Sequence, residues 1–310
     1  MKHIYGILLV AAMAVISSCS KEDDIDVENN KFDITDNFLP AASDTTLLAN
    51  TRRDFFSQTG SYLLFNDTLQ HIYKGKDFNG DDYYFTETVD LSYSIGSSAV
   101  ASTKYTFNYI NANDKAIKAV DYLKEYVIPH LTKQIKPFSW LLVDKITYKD
   151  TNMGTTSYPY CVSGQRCIAV ACYPLWTIKE SQLPAYTQQI LSVLIAKIVT
   201  DNYNKFGEFL AVSEEYYGLT FADEFEISNE DNTTMLRNAG FIAKGKGSTN
   251  ADAKGIYPTT SVDLTSYSRL ALSRTRESVV EAYAGYPLVL QKDSLMRSTL
   301  ENIGFVINID

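Results

Sequence analysis

The strongest three- and four-residue spacing of apolar positions begins at Asn113-Asp114 and takes in Ile117, Val120, Tyr122, Leu123, Tyr126, Val127 and Leu131. It predicts an amphipathic helix that Asn113 and Asp114 cap, that Pro129 kinks and that ends before Pro137. The run FSWLLVDKITY (138–148) reads as a buried strand. A loop follows through Asn152-Met153-Gly154, and a second strand is expected around Cys167–Cys172. From Ala185 to Tyr203 the positions Ile190, Leu191, Val193, Leu194, Ile195, Ile198 and Val199 make a helix apolar nearly all round, hence a central, buried one. Between Tyr83 and Ile95 apolar Phe85, Val89, Leu91, Tyr93 and Ile95 alternate with Thr86, Thr88, Asp90, Ser92 and Ser94, the pattern of a half-buried strand.

The segment RDFFSQTGSYLLF (53–65) is mixed, and KGKDFNGDDYYF (74–85) reads as a hairpin turning around Gly75–Asp82. Towards the C-terminus a polar, glycine-rich loop spans Lys244–Gly255, a helix is expected near Arg276–Tyr283, and a last helix over Lys292–Asn302 is closed by Gly304. Helices and strands are interspersed without regular βαβ alternation, so the class is α+β. With no fixed-period repeat, residues 37–310 are expected to fold as one globular domain.

The first 36 residues follow other rules. Lys2, the apolar run Ile7–Ile16 and the small residues that follow have the layout of a secretory signal peptide over residues 1–18. Ile16-Ser17-Ser18-Cys19 resembles the bacterial lipobox, which makes Cys19 the residue expected to carry lipid and places the mature chain on a membrane through its acyl chains. Residues 19–36 then form a flexible tether with seven acids and two lysines after the cysteine. This stretch resembles the acidic export signal of Bacteroidetes surface lipoproteins, which implies exposure on the outer face of the outer membrane.

Composition narrows the chemistry. The chain of 310 residues is 45% hydrophobic and 21% charged, ordinary for a globular protein, and its net charge of −9 repels a phosphate backbone, so nucleic acid is not an expected partner. Three histidines, His3, His71 and His130, are too few and too scattered for a triad or a histidine zinc site. Cys161, Cys167 and Cys172 lack zinc-knuckle spacing; they are expected to be buried structural cysteines, although Cys161 and Cys167 could close a small loop. Asp77, Asn79, Asp81 and Asp82 lack the glycine and distal glutamate of an EF-hand, and no G-x-S-x-G elbow or G-K-[ST] phosphate loop occurs. No metal or other cofactor is called for.

The helix of 116–131, the strand of 140–146, the apolar central helix, Glu208-Phe209 running to Glu215-Tyr216-Tyr217-Gly218, and the closing YPLVLQKDSLMRSTLENIGF (286–305) together resemble the zinc-binding metallopeptidase-like surface lipoproteins of Bacteroidetes. The likeness runs from about Thr51 to the end and implies a zincin-like fold. In that family the central helix carries H-E-x-x-H, two imidazoles four apart that hold zinc beside a glutamate that activates water. Those positions fall on Val193-Leu194-Ile195-Ala196-Lys197, which can do neither.

The resemblance therefore implies a non-catalytic binder, an accessory to a SusC/SusD-like nutrient-uptake complex, with a TonB-dependent transporter and its lid lipoprotein as partners and peptide or glycan as ligand. The alternative is a divergent hydrolase built on carboxylates. Glu277 and Glu281 share a helical face, but Arg274 and Lys292 nearby point to ordinary ion pairing. Twenty-two tyrosines, clustered at Tyr83-Tyr84, Tyr158-Pro159-Tyr160 and Tyr216-Tyr217, supply the candidate ligand-binding residues, because a phenol ring offers an apolar face and a hydroxyl.

Overall fold

A computed structural model describes residues 36–89, 91, 105–150, 154–219, 229–245 and 257–307. The expected signal peptide, Cys19 and the acidic tether lie outside the described residues, as do Tyr93, Ile95 and most of the 244–255 loop. Residues 37–310 form one compact unit.

The architecture is α+β, built on a mixed six-stranded sheet whose spine is β5 (Ser139–Asp150). The first half of β5 lies parallel to β1 (Tyr62–Leu64) on one side and to β8 (Cys167–Ala171) on the other. Its second half pairs antiparallel with β4 (Tyr105–Tyr109) and β6 (Thr155–Ser157), while β7 (Cys161–Ser163) closes the far edge against β8. Both faces of the first half of β5 are covered, which is why residues 140–143 read as a continuous apolar run. Trp140 and Leu142, with Ile168 and Val170, face the helices; Leu141 and Val143, with Ala169 and Ala171, face a second layer formed by Phe38, Leu69, Val89 and Leu91.

The helical layer holds α1 (Leu47–Thr59), α2 (Asn113–Tyr122), α3 (Leu183–Asp201), α4 (Gly207–Ala211), α5 (Asn229–Asn238), α6 (Thr260–Ser273), α7 (Arg276–Ala282) and α8 (Pro287–Ile303). The expected helix of 113–136 stops at Tyr122. A π turn at Leu123–Val127 and a 3-10 turn at Ile128–His130 follow, because Pro129 has no N–H to give and its ring crowds the carbonyl one turn back. Its N-cap is Ala112, which offers no side-chain acceptor; Asp114 instead sits in the first turn, where the helix dipole favours a carboxylate.

Three further expectations are corrected. The strand expected over 83–95 ends as β3 (Asp82–Thr88), paired only with β2 (Thr68–Lys76) in a hairpin whose Phe85 is exposed, so its alternation does not mark a core face. The turn is as expected, with Asp77 Oδ1 accepting from the N–H groups of Asn79 and Asp81. α3 is central but not buried all round: Ile190, Leu194, Ile195 and Ile198 face inward, whereas Ala196 and Thr200 are exposed and Ser192, Val193 and Lys197 half-buried. Cys161 and Cys167 project to opposite faces of the sheet and form no bridge; all three described cysteines are buried free thiols.

The segment after α8 is clasped to the 3-10 turn. The Val306 N–H donates to the His130 carbonyl, Leu131 pairs with Phe305, and Gly304 ends α8 at φ 113°. A Cβ at Gly304 would lie 2.2 Å from Thr132 Oγ1, so position 304 needs glycine for both conformation and space.

Candidate binding clefts along the central helix

The open side of α3 forms the floor of a cleft whose other wall is α6. The space is about 520 Å³, within the range of small-ligand sites, and its base is apolar: Ile195, Val199, Leu264 and Leu272. Hydroxyls line the walls. Those of Ser192, Thr200 and Thr265 each donate to a carbonyl one turn back, at 2.7–2.8 Å, which spends their protons and leaves lone pairs free to accept, while the buried Ser268 donates likewise to Leu264. Arg269 stands exposed at the rim with no ion pair among the described residues. The cleft continues over Ser192, Ala196 and Thr200 to the β7–β8 turn, where Gly164 and Gln165 form the far rim.

Chemically this arrangement binds. It offers hydrogen-bond acceptors over an apolar base, and one guanidinium whose planar fork matches a carboxylate. Val193 and Lys197, two of the positions set against H-E-x-x-H, border the cleft's extension, while Leu194 is buried. Lys197 donates to Asp201 Oδ2 at 2.9 Å, one helical turn along. His71 lies on the β2–β3 hairpin, stacked 4.5 Å from Tyr84 and hydrogen-bonded to Thr86, and His130 sits in the C-terminal clasp, so neither reaches the cleft. Among the described residues no three His, Cys, Asp or Glu side chains group as a metal site would require.

The carboxylate pair Glu277 and Glu281 lies exposed on α7 and lines neither cleft. Hydrogen bonds from its own backbone N–H and from Thr275 hold Glu277 below the usual carboxylate range. The ion pairing expected with Arg274 and Lys292 is not what forms. Arg297 donates to the Arg274 carbonyl, and Lys292 is buried elsewhere.

Lys292 is fully buried, its Nζ 2.5 Å from Asp263 Oδ2 and 3.0 Å from Ser213 Oγ, inside a box of Phe209, Phe241, Tyr267 and Tyr217 rings. Burial pushes the Asp263 carboxyl up and the Lys292 ammonium down, and each group pulls the other back. A serine–lysine pair suggests a nucleophile, but this one is closed to substrate. Ser213 is fully buried and gives its proton to the Ala239 carbonyl at 2.7 Å, while the lysine is held by a carboxylate. The Asp263–Lys292 pair locks α6 to α8. It also explains Gly240, at φ 81°, where a Cβ would stand 2.9 Å from Ser213 Oγ and 3.2 Å from Lys292 Cδ.

The six candidate tyrosines do not converge. Tyr83 and Tyr84 are exposed on the hairpin, and Tyr158 lies under Lys145, whose Nζ is 3.6 Å from the ring centre. Tyr216 packs on Tyr257, and Tyr217 belongs to the lysine box, donating to Asp263 at 2.7 Å. Only Tyr160 reaches a cleft, a second one at the N-terminal end of α3, which it shares with Tyr173 and Tyr186. Sequence reasoning missed the residues of the α3–α6 cleft altogether. Its one available signal was Leu264, Tyr267 and Ala271 at helical spacing behind the N-cap Thr259, diluted by serines and threonines.

No family model matches the chain, and neither the curated proteins nor the solved structures include a match. No helix among the described residues is long and apolar enough to cross a membrane.

Proposed function

We propose that this chain is a surface-exposed outer-membrane lipoprotein, anchored by acyl chains on Cys19, whose zincin-like body binds a ligand without cutting it as an accessory of a SusC/SusD-like nutrient-uptake complex. The observation that carries the binding part is the α3–α6 cleft with Arg269, which has no ion pair among the described residues, at its rim. The ligand is a peptide, its terminal carboxylate on Arg269 and its backbone N–H groups donating to the hydroxyl lone pairs of Ser192, Thr200 and Thr265. What favours binding over hydrolysis is that the Ser192 and Thr200 hydroxyls give their protons to helix carbonyls, that the Asp201 carboxylate bordering the cleft's extension is held by Lys197, and that Val193 and Lys197 stand where metal ligands would. The metallopeptidase likeness is supported by α3 itself, whose open side runs along a cleft rimmed by the turn after edge strand β7.

The test is calorimetric titration of the full chain with a library of short peptides bearing free or amidated C-termini. Binding of free acids is expected, with a loss of about tenfold or more on amidation and on Arg269→Ala, since a charge-assisted hydrogen bond is worth about 1.5–3 kcal/mol. Mass spectrometry should recover the peptides intact. Binding indifferent to both changes removes the cleft assignment, and cleaved peptide removes the non-catalytic one.

A further inference from the structure

The second cleft lies where the 3-10 turn Tyr173–Trp176 meets the first turns of α3, with a volume of about 350 Å³. We infer that it binds an uncharged saccharide. It is separate from the α3–α6 cleft, and the inference stands whether or not that cleft takes peptide.

The argument starts from what lines it. Tyr160, Tyr173 and Tyr186 supply three rings, Tyr160 lying 5.7 Å from Tyr173 at 48° and 5.4 Å from Tyr186 at 77°. Tyr160 and Tyr173 are only half-buried and are set at an angle to one another, so they leave ring surface for a ligand, while Tyr186 is buried beneath them. Tyr186 is fixed as the floor by donating to the Ala171 carbonyl at 2.7 Å. Gln182, at the N-cap of α3, and Gln189, on α3 itself, lie beside the rings with Thr177. The Gln182 oxygen accepts from the Lys179 N–H at 3.3 Å, which leaves its two amide protons unspent, and the side chain of the exposed Gln189 makes no hydrogen bond among the described residues.

The chemistry of that set is specific. A pyranose has an apolar C–H face that lies on an aromatic ring and hydroxyls at its edge that both donate and accept. A planar carboxamide matches that edge, because it carries a donor and an acceptor side by side. No Asp, Glu, Lys, Arg or His lines the cleft, so a charged group would enter without a counter-charge. Two of the phenols are held neutral: burial and the neighbouring Tyr160 push Tyr173 up to about 12, and burial pushes Tyr186 up as well. A volume of about 350 Å³ admits one or two sugar rings.

The experiment is saturation-transfer NMR on the full chain with glucose, galactose, mannose, N-acetylglucosamine and their β1-4-linked dimers, each at about 10 mM, a concentration that detects millimolar affinity. Glucuronic and galacturonic acids serve as charged counterparts. At least one neutral sugar should show transfer, and its uronic acid should bind about tenfold or more weakly. Gln189→Ala, an exposed change that leaves the melting temperature unaltered, should weaken the neutral sugar about tenfold, and Arg269→Ala should leave it unchanged. Tighter binding of the dimers identifies a glycan chain, and equal binding a free sugar. No transfer from any neutral sugar, binding indifferent to Gln189→Ala, or a uronic acid bound as tightly as its neutral parent overturns the inference. Loss on Arg269→Ala with Gln189→Ala silent would place the sugar in the other cleft and equally overturn it.

Discussion

Lys292 shows how far one buried charge organises its surroundings. Its ammonium is surrounded by four aromatic rings and held by one carboxylate oxygen, while the second oxygen of that carboxylate, Asp263 Oδ1, is buried with no partner. Removing the carboxylate strands the lysine: Asp263→Ala should cost about 3–5 kcal/mol in urea unfolding, and the double change Asp263→Leu with Lys292→Met should cost clearly less. A single change as mild as the double one would show that the pair bears no such role. His130 makes a claim about pH. Burial lowers its pKa from the usual 6.5, against a hydrogen bond from Nδ1 to the Val306 carbonyl that raises it. The unfolded chain therefore binds a proton first as pH falls. Stability from this group is whole above about pH 6.5 and declines as pH drops towards the lower folded value. His130→Asn keeps a donor for Val306 and should flatten that slope in melts between pH 7 and 5; an unchanged slope contradicts it. Neither environment is legible in the sequence. Lys292 reads as a surface partner for Glu277 and Glu281, because spacing along a helix says which residues share a face but not which face is inside.

At the scale of elements, the legible parts are those whose burial is simple. The first half of β5 and all of β8 are covered on both faces and read as unbroken apolar runs. α7 appears within one residue of its expected bounds, and α8 is closed by Gly304 as its sequence implies but begins five residues early, at Pro287. α1 and α6 were hidden for a common reason. Only Ala49 and Phe55 of α1 are buried, and α6 spreads its apolar residues among serines and threonines of low helix propensity. Both still carry a threonine N-cap, and α1 also ends in the left-handed Gly60, the local signals that outlast a weak apolar stripe. The C-terminal clasp gives a sharp expectation: Gly304→Ala must accept a left-handed φ and push Thr132 aside, costing about 1–3 kcal/mol by urea titration. A neutral outcome would show that the clasp yields. Across the α3–α6 cleft, Ala196→Trp adds bulk at an exposed floor position and should abolish peptide binding while leaving the melting temperature within a few degrees.

Taken as a whole, the molecule sets two clefts along one helix. The first turns of α3 meet an uncharged aromatic site, and its second half meets a hydroxyl-lined site with a cation at the rim. The sequence made the α+β class and the absence of histidine from the central helix legible, and Tyr160 was its one candidate to line a cleft; the α3–α6 cleft was invisible to it, because its two helices are distant along the chain. The lipobox at Ile16–Cys19 and the acids that follow suggest a protein held at a membrane surface, and the proposed partners are a TonB-dependent barrel and its lid lipoprotein. The most direct measurement is mild detergent extraction of the tagged, lipidated chain from its own outer membrane, followed by mass spectrometry of what accompanies it. The account expects that barrel and lid lipoprotein in near-stoichiometric amount, and their loss from the membrane-bound pool when Cys19→Ala prevents anchoring. Recovery of the chain alone, under conditions that keep a known barrel–lid complex intact, would contradict it.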